Sequence, residues 1–188
     1  MPLNLPNLVT LLRILLIPLI VGIFYLPDAW LSAEGKNIAA TAVFIVAAIT
    51  DWLDGYLARK LNQMSAFGAF FDPVADKLVV VGALIVLLKL GRVDMVVALI
   101  IIGREIAISA LREWMAKVGR AKSVAVAFVG KLKTVLQMVA IPLLLFEDPL
   151  FGLIDCFALG TVLIYVAALL TVISMLYYLR QALPLARG

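Results

Sequence analysis

Asp51, Asp54, Asp72 and Asp76 fall within one short stretch, each inside or beside an apolar run long enough to span a bilayer. The stretch reads Asp51-x2-Asp54-Gly55-x2-Ala58-Arg59-x8-Gly68-x3-Asp72-x3-Asp76. Four acids at the centre of membrane helices would cost on the order of 10 kcal/mol if they faced lipid. That is as much as the net stability of a whole domain. They must therefore face one another across a polar, hydrated or ion-filled cavity. Residues three and four apart share a helix face. Asp51, Asp54, Gly55 and Ala58 thus form one stripe, and Gly68, Asp72 and Asp76 another. A helical hairpin can oppose the two, so that the carboxylates converge. Only hard oxygen ligands are present, which selects Mg²⁺ or Mn²⁺ over zinc. Four carboxylates exceed what one such ion takes from protein and favour a pair of ions, an arrangement suited to in-line displacement at phosphorus. Gly55 leaves room for a nucleotide against its helix. Arg59, one turn on, is placed for a diphosphate contact, with snorkelling to the interface as the plainer alternative. Gly68 and Ala58 also fit a purely structural role, as small residues that let membrane helices approach.

The elements that must position these residues are apolar spans. The chain has 188 residues, 65% of them hydrophobic, and a mean hydropathy of +1.13. Soluble domains are about 45–50% apolar, so the excess belongs to lipid contact. Windows of about 20 apolar residues mark spanning helices. Six occur: Leu8 to Leu26, Asn37 to Tyr56, Phe70 to Leu90, Val93 to Trp114, Val124 to Phe146, and Phe157 to Tyr178. The expected fold is an all-α polytopic membrane protein, a single domain over residues 1–188. The first span has no preceding basic region or clear cleavage site and carries Arg13 and Pro18, so it reads as a permanent segment rather than a cleaved signal. Arg59, Lys60, Arg112, Lys117, Arg120, Lys122, Arg180 and Arg187 collect on one side, which the distribution of basic loops makes cytoplasmic. Both termini then lie there, and the four aspartates sit near that face. The chain has no histidine, so chemistry must run on carboxylates, lysine or arginine. The one cysteine, Cys156, reads as an apolar packing residue.

The acidic stretch resembles the signature of the CDP-alcohol phosphotransferases at all eight of its defined positions. The resemblance implies a six-helix membrane enzyme, usually a homodimer, that cleaves a CDP-linked lipid with two divalent ions. It implies that Asp51 and Asp72 bridge both ions, that Asp54 completes one site and Asp76 the other, and that Asp76 takes the proton from the acceptor hydroxyl. Gly55, Arg59 and Ser65 would contact the CDP-lipid. The segment Asn4 to Arg13 looks like the N-terminal segment of bacterial members, in which Asn7 and Thr10 would approach the nucleotide. The blocks Phe67 to Lys77, Arg104-Glu105-Ile106 and Gly130 to Gln137 look like those of members that transfer to sn-glycerol 3-phosphate. The implied donor is CDP-diacylglycerol and the implied location the bacterial inner membrane. The last span carries no distinctive motif.

An acceptor bearing a phosphate also agrees with the residues themselves. An arginine inside a span, such as Arg104, needs an anionic partner, either Glu105 or a ligand. Lys131 and Lys133 are candidates for the same phosphate, with snorkelling to the anionic leaflet as the alternative. They stand about 200° apart on a helix, so both are not expected to face one ligand. Serine or inositol phosphate as acceptor is the nearest rival. A cation transporter would need acids spread through the membrane's depth, whereas these cluster at one face beside an arginine.

Overall fold

Each apolar run becomes one α-helix in the computed structural model, which describes residues 5–60, 66–117 and 128–182. The helices are α1 (Leu5–Ile23), α2 (Ala33–Lys60), α3 (Ala66–Lys89), α4 (Met95–Lys117), α5 (Phe128–Phe146) and α6 (Cys156–Ala182). Their ends fall within four residues of those expected, and the expected start at Val124 lies outside the described residues. Local chemistry sets the ends. The Ser32 hydroxyl caps α2 by accepting from the Gly35 amide at 3.1 Å. Asp94 and Asp155 cap α4 and α6 through the amides of Val96 and Ala158, at 2.8 and 2.9 Å. Helix α3 ends in a Schellman motif. Gly91 takes φ +71°, its amide donates to the Leu88 carbonyl at 3.0 Å, and the Arg92 amide donates to Leu87 at 2.9 Å.

The helices pack as a ring. Helix α1 lies against α2 and α3, α2 against α5, α5 against α6, and α6 against α4, while α3 meets α4 to close the circuit. The burial pattern is the reverse of a water-soluble fold. Leu15, Leu99 and Leu169 are 66%, 68% and 61% exposed, whereas Arg13, Arg104 and Lys133 are 1%, 6% and 2% exposed. The pattern is consistent with hydrocarbon around the bundle, which solvates leucine and rejects charge. Among the described residues, Ala33–Asp51 and Cys156–Arg180 are stretches long and apolar enough to cross a membrane. Cys156 is buried, as expected of a packing residue.

One end of the ring is tied by Arg92, in the α3–α4 connection. Its guanidinium donates to the Leu144 and Leu145 carbonyls at 3.2 and 2.9 Å, donates to Asn37 Oδ1 at 2.9 Å, and pairs with Glu147. Burial pulls this guanidinium below its ordinary pKa, against the pull of Glu147 and Asp148, yet arginine stays charged in proteins. The same end holds the Lys36–Asp28 pair at 2.6 Å and Lys89 over the Tyr25 ring at 3.7 Å. The start of α2 and the connections after α1, α3 and α5 thus meet at one end, so the helices alternate in direction. The acidic stretch belongs to the other end, with Asp76 roughly 20 Å along α3 from Lys89. Replacing Arg92 with alanine strands two carbonyls and the Asn37 amide oxygen, and should cost about 2–3 kcal/mol of stability. Thermal unfolding in detergent checks this, and substrate KM values should not change.

Candidate active site

Helix α1 presents Thr10 and Arg13 on one face, both 1% exposed. The Thr10 hydroxyl donates to Asp72 Oδ1 at 2.6 Å. Arg13 Nη1 lies 3.0 Å from Asp51 Oδ1 on α2 and also pairs with Asp76 Oδ1 on α3. A single nitrogen therefore touches carboxylates from two helices, and Thr10 reaches a third acid. Of the four carboxylates expected to converge, α1 holds Asp51, Asp72 and Asp76, and the side chain of Asp54 lies outside the described residues. The carboxylates of Asp51 and Asp76 keep 44% of their surface open. Asn7, Asp54, Gly55 and Arg59 are placed on α1 and α2 by the backbone alone, their side-chain surroundings lying outside the described residues, as does Ser65 altogether.

Asp51 and Asp76, with Arg13 and Lys77, line a cavity of about 500 Å³ to which all six helices contribute. Three further cations reach it from α4 and α5. Arg104 on α4 and Lys131 and Lys133 on α5 line the same space, with Glu105 between them. Lys133 pairs with the Glu105 carboxylate, and Arg104 Nη1 lies 3.4 Å from it. The anionic partner expected for Arg104 is thus Glu105, and burial rules out snorkelling for both Arg104 and Lys133. Helix α6 completes the support. Ser174 Oγ accepts from Arg104 at 3.5 Å, and the Tyr178 ring lies 5.8 Å beneath its guanidinium.

Lys131 and Lys133 both line the cavity, Lys131 exposed and Lys133 buried, in keeping with their angular separation on α5. On α6, Thr171, Ser174 and Tyr178 are buried at helical spacing, and Ser174 and Tyr178 face Arg104. Arg13 is a site residue to which the sequence reading gave no role, whereas Glu105 was already a candidate partner for Arg104. The signal for Arg13 was available, since it too is a charge inside a span and needs an anionic partner.

Among the described residues, no group of three or more acidic, histidine or cysteine side chains is gathered tightly enough to enclose an ion. The donor set nonetheless fits a hard divalent cation. Oxygens from Asp51 and Asp76 already converge on one positive atom, with no nitrogen or sulfur ligand beside them.

Residues 3–173 match the CDP-alcohol phosphatidyltransferase family, and the chain belongs to that family and is a phosphatidyltransferase. It is similar to the CDP-diacylglycerol–glycerol-3-phosphate 3-phosphatidyltransferases of Escherichia coli strain K12 and Shigella flexneri serotype 5b. Each is 47% identical over 184 residues, which cover 97% of this chain and 96% of the relative.

Arg13→Ala removes the cation between two half-exposed carboxylates. It should lower stability by about 2–3 kcal/mol, less than a fully buried pair would lose. The loss should be largest in EDTA and partly restored by Mg²⁺, which thermal unfolding in each condition measures. Wild-type stability of Arg13→Ala in EDTA would contradict this role.

Proposed function

We propose that the chain transfers the phosphatidyl group of CDP-diacylglycerol to sn-glycerol 3-phosphate, giving phosphatidylglycerophosphate and CMP. The observation that carries this reading is one cavity whose lining brings Asp51 and Asp76 together with the buried cations Arg104 and Lys133. The cations of α4 and α5 suit the acceptor's phosphate, and the carboxylates of α2 and α3 suit the reacting hydroxyl and the donor's diphosphate. Two divalent cations, Mg²⁺ or Mn²⁺, held by Asp51, Asp54, Asp72 and Asp76, would neutralise the diphosphate and the departing phosphate. Asp76 takes the proton from the acceptor's primary hydroxyl as that oxygen bonds to the lipid-bearing phosphorus. The phosphorus–oxygen bond to CMP breaks, and CMP leaves with the electron pair. Arg104 and Lys133 hold the acceptor's phosphate, with Lys131 at the rim. Asn7, Thr10, Gly55, Arg59 and Ser65 contact the donor.

In this reading all six helices span the bacterial inner membrane, both termini are cytoplasmic, and the working unit is a homodimer. The cavity opens toward the cytoplasm, where water-soluble glycerol 3-phosphate arrives. The excess of lysine and arginine in the connections at that end supports the orientation. Two buried cations in the cavity lining favour an anionic acceptor over serine.

Arg104→Ala should raise KM for glycerol 3-phosphate by roughly 10–100-fold, the loss of one charged hydrogen bond. KM for CDP-diacylglycerol should stay within a few-fold of wild type. An unchanged acceptor KM in a folded variant would remove Arg104 from the site. Asp76→Asn should reduce turnover by about 10²–10⁴-fold or more, the usual cost of losing a general base, while donor binding largely persists. Near-wild-type turnover of Asp76→Asn at any Mg²⁺ concentration would overturn its assignment as the base.

A further inference from the structure

Gln137 lies one turn beyond Lys133 on the same face of α5 and lines the same cavity as Asp51 and Asp76. The residue is 3% exposed, and its Oε1 has no hydrogen-bond partner among the described residues. Leaving a buried acceptor unpaired disfavours folding by roughly tenfold or more. An apolar residue of the same length would serve the fold better. The apolar part of the cavity lining, Val79, Val80 and Met138 among it, offers no donor. The Thr134 hydroxyl donates to the Gly130 carbonyl at 3.0 Å, and Glu105 is taken by Lys133 and Arg104. An unpaired amide oxygen in a cavity built for a small polyol phosphate is matched to a donor that arrives with the ligand.

We propose that Gln137 is a specificity-determining residue that accepts a hydrogen bond from the free secondary hydroxyl of the acceptor. This rests on the reading that glycerol 3-phosphate occupies the cavity. With its phosphate on Arg104 and Lys133 and its primary hydroxyl at Asp76, the secondary hydroxyl is the acceptor's one remaining polar group. Lys133 and Gln137 are one helical turn apart, about 6 Å of rise, which suits recognition of a phosphate and a hydroxyl of the same three-carbon molecule. A site built around a hydroxyl discriminates strongly against an analogue lacking it, because its own buried group is then left unpaired.

The test compares sn-glycerol 3-phosphate with 3-hydroxypropyl phosphate, which keeps the phosphate and the primary hydroxyl and lacks the secondary one. Wild-type protein in detergent should prefer glycerol 3-phosphate by roughly 10–100-fold in kcat/KM. Gln137→Met should bring the two acceptors within a few-fold of each other, mainly by losing activity toward glycerol 3-phosphate. It should also unfold at the wild-type temperature or above. A wild type that does not discriminate, or a Gln137→Met variant that retains the preference, overturns the proposal. So does a Gln137→Met variant that unfolds at a lower temperature, since that marks an amide needed by the fold. Wild-type protein inactive with glycerol 3-phosphate, or an Arg104→Ala variant with unchanged acceptor KM, would count instead against the acceptor reading beneath it.

Discussion

Arg13 is a guanidinium with 1% of its surface exposed, held between carboxylates from two other helices. Without it, the half-exposed carboxylates of Asp51 and Asp76 would repel each other. Without the carboxylates, a buried arginine would be untenable. Each charge makes the other tolerable. The arrangement also fastens α1 to both helices of the acidic hairpin, and Thr10 adds a hydrogen bond to Asp72 from the same face. The packing of α1 against α2 and α3 is therefore electrostatic as well as apolar. The site and the fold share one set of contacts at this end of the bundle.

The second half of the bundle repeats the principle with the signs exchanged. Arg104 and Lys133 are buried cations that share Glu105, and α6 supplies Ser174 and Tyr178 behind Arg104. The cavity thus gathers carboxylates from α2 and α3 and cations from α4 and α5 in one lining. At the far end Arg92 ties the α3–α4 and α5–α6 connections to the start of α2.

The helices were legible in the sequence because apolar windows have a length fixed by the bilayer and are bounded by charges, prolines and caps such as Asp94 and Asp155. The convergence of Asp51, Asp72 and Asp76 was legible because helical periodicity places them on facing stripes and lipid forbids any other orientation. Arg13 was harder, since an apolar average over its span hides one charge, and its partners lie 38 and 63 residues away. Ser174 and Tyr178 have helical spacing but give no hint of facing Arg104, because the contact between α4 and α6 is set by tertiary packing.

The central claim is that one cavity of opposed charge selects a phosphorylated acceptor for phosphatidyl transfer. The most direct measurement offers purified protein, CDP-diacylglycerol and Mg²⁺ a panel of separate acceptors: sn-glycerol 3-phosphate, glycerol, serine and inositol phosphate. The account predicts CMP release matched by phosphatidylglycerophosphate with glycerol 3-phosphate, and no product above background with glycerol or serine. Transfer to glycerol or serine at a rate equal to that with glycerol 3-phosphate would contradict it.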